Sequence, residues 1–368
     1  MYKSISPRIA GIVMVLVYIA NAYILGNDRV AGRNSWLCVV LSAILFVPVY
    51  ILFYFLTKKY PGMNFFEIMN QVFGKTVMKV IAVIYVAYAI CVLSMSYNCF
   101  ARFVSSNILQ DTPKYIMGIA IALCAAYLVW KGSVVMGKWA SFVLPVVLVF
   151  ILISLLGSIP SLHFEYLLPI AENRMDMIIG TYRFLAFPVG EPVIFFCLLS
   201  SVKGTLRLRH WLIPLAVAAV ILSLTFARDT MVLGGSLSGI LSFSTNHADS
   251  IAGYLNFSQR TEVLTSLIPA AAGIMEAAVT LFFITQGVDA ILEKSRSWIG
   301  ILTGTVVGLA ISFTFFNTSA ALEKRYMIWP AISVGFQILA PLVCLLVSSV
   351  KNGMRRKILA RRLKRQMM

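Results

Sequence analysis

Runs of about 20 apolar residues, separated by short polar breaks, recur along this chain from end to end. No other feature limits its fold so tightly. In hydrocarbon, every backbone N–H and C=O must find a partner inside the protein. A spanning segment is therefore a helix or a strand of a closed barrel. Barrel strands are short and alternate apolar with polar residues. The runs here are long and evenly apolar, so each reads as a membrane helix. Charged residues make up only 12% of the chain and the mean hydropathy is +0.88, whereas a water-soluble domain carries about 25% charge. An all-α integral membrane protein is expected.

The runs predict ten spans, at 9–27, 33–57, 77–106, 114–130, 138–158, 179–201, 210–233, 262–292, 298–317 and 327–350. The third and eighth are long, and should tilt or project beyond the bilayer. Lysine and arginine set the orientation. With a cytoplasmic N-terminus, most of them fall in the inside segments and the tail "KNGMRRKILARRLKRQMM", and Arg228 is counted on the opposite side. Residues 1–350 are read as a single ten-span domain and 351–368 as a basic cytoplasmic tail. The net charge of +17 invites a nucleic-acid reading. It is spread over loops and a tail beside a span, so membrane lipids are the expected partner and nucleic acid is not. Lys3, Arg8, an apolar run and Ala20-Asn21-Ala22 imitate a secretory leader. Its cleavage would leave the basic tail outside, so the run is read as a retained span.

Five spans lie in 1–158 and five in 179–350. An odd number per half turns the second half over in the membrane. Halves sharing one fold then form an inverted repeat, an arrangement that places its ligand site mid-membrane in discontinuous helices at matching positions. The expected fold is thus ten transmembrane helices in an inverted five-plus-five repeat, with spans 1 and 6 broken. Span 6 carries "FLAFPVGEPVIFF", where Pro188, Gly190 and Pro192 surround Glu191. Unwound backbone at membrane depth is tolerated where it lines a cavity or is buried in protein. Span 1 offers a weaker break at Asn21 and Gly26.

The candidate ligand-binding residues are Asn21, Gly26, Tyr97, Pro188, Gly190, Glu191 and Glu276. Intramembrane carboxylates usually face a cavity or a proton path. Glu191 is read as functional, against a structural pairing with Arg183. Glu276 is either ligand-facing or a neutral structural acid. Asn21 either meets ligand or bonds a neighbouring helix. Tyr97 and Asn98 lie deep in span 3, while Tyr85 and Tyr88 read as packing aromatics. Asp289 reads as an interface residue, and Arg260 with Glu262 as a local ion pair at a helix start. Pro269 should bend span 8. The segment 234–259 should form short helices over the outer vestibule. The six cysteines fall in apolar spans, and no histidine pair has metal-ligand spacing. No cofactor, metal or catalytic constellation is expected, and an enzyme is not indicated.

Four segments carry a resemblance: "AGRNSWLCVVLSAIL", "KKYPGMNFFEIMNQVFGK", "FPVGEPVIF" and "LNFSQRTEVL". In this order they resemble the spore germination permease family, the B subunits of nutrient germinant receptors in endospore-forming bacteria. The similarity covers nearly the whole chain; "SLIPAAAGIMEAAV" in span 8 departs from it. The resemblance implies a fold of the amino acid–polyamine–organocation superfamily and a receptor for a small nutrient, with an amino acid as the expected ligand. It also implies an A-type subunit and a C-type lipoprotein as partners, and the spore inner membrane as location. A proton-coupled amino-acid transporter is the alternative.

Overall fold

The chain enters its first helix through a cap. Ser6 accepts a hydrogen bond from Ile9 N (3.3 Å) and Pro7 occupies the first helical position, where no N–H is needed. Helix α1 then runs unbroken over Pro7–Leu25. The structure, a computed structural model, describes all residues except 1–3, 110, 187–188, 205, 242, 253–260, 294–295, 317–318 and 367–368. Next come α2 (Ser35–Lys59), α3 (Phe65–Phe73), α4 (Lys75–Asn107), α5 (Lys114–Lys131), α6 (Ser133–Gly157), α7 (Arg174–Ala186) and α8 (Pro192–Phe195). They are followed by α9 (Arg209–Leu233), α10 (Gly235–Ile240), α11 (Ser244–Ile251), α12 (Thr261–Leu292), α13 (Ser297–Phe315) and α14 (Ser319–Gln366).

Eight of these helices are long and apolar enough to cross a membrane: α2, α4, α5, α6, α9, α12, α13 and α14. The chain is a multi-pass, all-α membrane protein. At 33 and 32 residues, α4 and α12 are about 50 Å long, well beyond a hydrocarbon core of about 30 Å. Pro269 lies inside α12, which stays helical through it.

The two predicted spans missing from the eight are the first and the sixth. The sixth is divided. Helix α7 ends at Ala186, the chain leaves helical geometry, and α8 restarts at Pro192 for one turn before a 3-10 helix over Phe196–Ser201. The first differs from expectation. Its backbone has no break at Asn21, and α1 ends only at Gly26, where φ is +65°. A lone asparagine costs a helix only a few tenths of a kcal/mol, whereas glycine turns left-handed without a Cβ penalty.

Helix α12 is the axis of the bundle: 72% of its apolar stretch is buried, against 22% for α13 at the rim. It packs on α1, α4, α5, α6 and α13, while α2 packs on α7 and α9, and α14 on α2, α3 and α7. The predicted inside segments gather at one end. There Ile5 N donates to Ser201 O (2.8 Å) and Lys203 N to Ile5 O (3.0 Å), an isolated parallel bridge that ties the segment before α1 to the exit of the sixth segment. Lys351 Nζ donates to Val72 O (2.6 Å) and Lys75 pairs with Glu293 (2.5 Å) at the same end. Helix α3 lies there too, started by a capping box in which Asn64 and Glu67 each bond the other's backbone N–H (2.9 and 2.8 Å). A vestibule of about 1050 Å³ opens at this end, lined by Asn70, Lys131, Ser200, Gln286 and Asp289 among others.

Contacts between distant segments gather at the opposite end. Arg33 Nη1 donates to Leu168 O (2.5 Å) and His163 N to Met231 O (3.0 Å). Short helices α10 and α11 occupy the segment between α9 and α12, as expected. Asn27 N, just past α1, donates to Ser244 Oγ at the start of α11 (3.0 Å).

Candidate functional site

The break in the sixth segment is held by contacts that allow no side chain at its turn. A Cβ placed on Gly190 would stand 2.0 Å from Leu185 O and 2.8 Å from Ala186 O. The chain thus doubles back against the last turn of α7, and only glycine lets the two backbones come so close. The next residue, Glu191, is 1% exposed. Pro192 follows at the first position of α8.

Breaking a helix strands backbone groups, and here side chains from two other helices take them up. Tyr50 of α2 donates its hydroxyl to Val189 O (3.1 Å) and shares a second hydrogen bond with the Tyr18 hydroxyl of α1. On the other side of Glu191, Val193 N donates to Gln337 Oε1 of α14 (2.9 Å). Gln337 Nε2 in turn donates to the Tyr88 hydroxyl of α4 (3.3 Å), which also bonds Ser333 Oγ (3.1 Å). The Tyr88 ring is stacked between Phe336 (4.4 Å) and Trp329 (5.5 Å). Tyr18, Tyr50 and Tyr88 are electrostatic neighbours of Glu191. The break is therefore a buried polar layer: one carboxyl, three phenols and one amide, contributed by α1, α2, α4, α14 and the break itself. Such a set can meet both the cationic and the anionic group of a small polar solute, because an ionised carboxyl accepts while phenols and amide N–H donate.

Gly26 and Tyr97 lie apart from this layer. Gly26 follows Tyr18 by eight residues, about 12 Å along the axis. It abuts α11, where a Cβ would meet Ser244 Oγ at 2.6 Å. Tyr97 is buried but nine residues from Tyr88, about two and a half turns. It faces α13, where a Cβ on Gly308 would touch its ring at 3.3 Å. Asn98 also faces α13, donating to Ser312 O (3.1 Å). Glu276, 1% exposed, accepts from Ser96 of α4. Asp289 lines the vestibule and accepts from Arg296 N (3.1 Å). Pro188, Arg260 and the side chains of Asn21 and Glu262 lie outside the described residues.

The pairing weighed against a functional Glu191 is not formed: Arg183 reaches Asp28 (3.0 Å), whose carboxylate also accepts from Val30 N and Ala31 N. The eight-residue spacing keeps Arg183 and Glu191 two turns apart on a helix, and the break does not fold them together. Arg228, counted by charge on the outer side, lies within the seventh span. It is 1% exposed inside α9, between Asp229 (3.1 Å) on its own helix and Asp249 (2.7 Å) on α11, with Ser154 of α6 also on Asp249 (2.6 Å). A buried arginine persists only when its charge is paired.

A family model described as "Spore germination protein" matches residues 4–347. This chain belongs to the spore germination permease family. It is 22% identical over 366 residues to spore germination protein KB of Bacillus subtilis (strain 168), with 96% of each chain covered. It is 21% identical over 214 residues to spore germination protein XB of Bacillus anthracis, over 58% of this chain and 57% of that one.

In this germination permease the residues that complete the break are ones sequence reasoning passed over. Tyr18, Tyr50, Ser333 and Gln337 drew no attention, and Tyr88 was read as packing. Gln337 carried a usable signal: an amide in the apolar run "ISVGFQILAP" is costly to bury without a partner. So did the adjacent Arg228-Asp229 within "LTFARDTMVL".

Proposed function

We propose that this germination permease is the nutrient-sensing B-type subunit of a spore germinant receptor, binding a small nutrient such as an amino acid at the break around Gly190 and Glu191. The single observation that carries this reading is the buried layer of Glu191, Tyr18, Tyr50, Tyr88 and Gln337, which joins four helices to a broken backbone. Ligand contacts that differ between two arrangements of these helices would shift their populations. An A-type subunit and a C-type lipoprotein would read the shift in the spore inner membrane, with both termini on the core side.

In this reading the fold has ten spans, the eight long helices plus α1 and the divided α7–α8 segment, in halves 1–158 and 179–350. The packing supports the inverted repeat. Helix α4, the third span, packs along α12, the eighth, and α2 packs along α9, the second against the seventh. A short helix precedes each long one, α3 before α4 and α11 before α12, at opposite ends. Glu191→Ala is expected to abolish the nutrient response while the protein still accumulates, and Glu191→Gln to keep part of it. Normal germination by the Ala variant at unchanged nutrient concentration would overturn the assignment.

The second reading, a proton-coupled transporter, is favoured by the vestibule of about 1050 Å³ that reaches Ser200, Ser201 and Gln286 below the break. The test is radiolabelled amino-acid uptake by the purified chain in liposomes. The receptor reading expects weak binding without accumulation; protonophore-sensitive accumulation would favour transport.

A further inference from the structure

A groove of about 530 Å³ lies between the end of α2 and the middle of α14 on the side of the basic loops, lined by Phe55, Lys58, Lys59, Leu342, Leu345, Leu346 and Ser349. Its walls are apolar and turned outward: Phe55 is 51% exposed and Leu346 59%. In a membrane those walls face acyl chains. Its rim is cationic. Lys59 Nζ donates to Ser348 Oγ (2.6 Å) and Ser349 Oγ (3.4 Å), two neutral acceptors that fix the ammonium over the groove. Lys58 Nζ stands 6.0 Å from the centre of the Tyr54 ring. Among the described residues no carboxylate forms an ion pair with either lysine.

From this we infer that the groove between α2 and α14 is a specific site for an anionic phospholipid, its phosphate on Lys58 and Lys59 and an acyl chain along Phe55, Leu342 and Leu346. Hydrated lysines at a membrane edge are ordinary. Here they stand over a concave apolar trough, and one of them is held in place by two hydroxyls. A basic pocket between membrane helices on the cytoplasmic side suits anionic headgroups. The site also bears on the break. Phe55 follows Tyr50 by five residues on α2, and Leu342 follows Gln337 by five on α14, in each case about 7.5 Å along the axis. A lipid filling the groove holds together the two helices that bond Val189 O and Val193 N, so occupancy steadies the polar layer.

The full chain, purified in neutral detergent, is titrated with phosphatidylglycerol or phosphatidylcholine and bound lipid is counted by native mass spectrometry. Phosphatidylglycerol is expected to bind on the order of tenfold more tightly, with the preference shrinking as salt rises. The double variant Lys58→Ala/Lys59→Ala should bring the two lipids to within about twofold, while Lys131→Ala/Lys138→Ala keeps the preference. Leu346→Trp, which fills the trough, should weaken both lipids. Thermal melting gives an independent reading: phosphatidylglycerol should raise the melting temperature of the wild type and not of the lysine variant. Equal binding of the two lipids by the wild type overturns the proposal whatever the variants do. So does a lysine variant that keeps the preference, or displacement by inorganic phosphate as effective as by lipid.

Discussion

Gly190→Ala tests the break where its geometry is tightest. The added methyl would lie 2.0 Å from Leu185 O, 2.8 Å from Ala186 O and 3.0 Å from Ala186 Cα. Ordinary carbon contacts begin near 3.5 Å, so the chain must move by more than 1 Å. All three obstacles are backbone, and no rotamer change relieves them. Overpacking a well-filled site costs about 1–3 kcal/mol; with no flexible neighbour to give way, the upper end applies. At roughly 2 °C per kcal/mol for a chain of this size, the melting temperature should fall on the order of 5 °C. Gly157→Ala is the control, because a Cβ there meets nothing within 4 Å. It should leave melting unchanged or raise it slightly, since alanine favours the helix by up to about 1 kcal/mol. Melting followed by fluorescence-detected gel filtration in detergent compares the two directly. If Gly190→Ala melts with Gly157→Ala and wild type, the backbone does not double back as described.

Other perturbations have equally definite outcomes. Gln337→Leu strands Val193 N in the core, at about 1–3 kcal/mol; melting should drop and the nutrient dose–response should move to higher concentration. Asp249→Ala leaves Arg228 with one carboxylate in a buried site, and breaking a buried pair costs about 3–5 kcal/mol; severe loss of folded protein in expression assays is expected, and wild-type yield would refute the pairing. Hydrogen bonds from Lys75, and then Lys79, hold the exposed Glu293 carboxyl down to about 2. Its contribution is therefore in place above the ordinary 4.5 and lost as pH falls toward 2. Between these limits wild-type melting should fall slightly more steeply than that of Glu293→Gln, and salt should erase the difference. A single cysteine at position 366, on a background lacking native cysteines, should resist an impermeant reagent added outside; labelling would overturn the topology.

What the sequence made legible was whatever lies within one run of residues. The spans follow from hydropathy because the bilayer imposes one length and one chemistry on each. The break between α7 and α8 follows because Pro188, Gly190 and Pro192, within five residues, cannot continue a helix. The break in the first span did not follow, since one asparagine does not decide a helix, and the chain waits for Gly26. The side chains that complete the polar layer were hidden for a different reason. Tyr18 and Tyr50 are 32 positions apart, and Val193 and Gln337 are 144 apart. Nothing local marks two residues as neighbours when only the packing of helices brings them together. Tyr97 shows the converse: its depth in the span was readable, but its packing against α13 was not.

The bridge between Ile5 and Val202 makes the two ends of the working region one mechanical unit. Ile5 is 2% exposed, seated with its backbone bonded on both sides to the strand that leaves the sixth segment. Any load on the first few residues is delivered straight to the helix that follows the break. A protein fused at the N-terminus therefore pulls on the sensor itself, whereas the same fusion after α14 hangs from a helix that runs on from Lys351, bonded to Val72 O, to Gln366. For labelling, tethering or force measurements, the two termini are unequal handles. The first reports on the break and disturbs it, and the second leaves it alone.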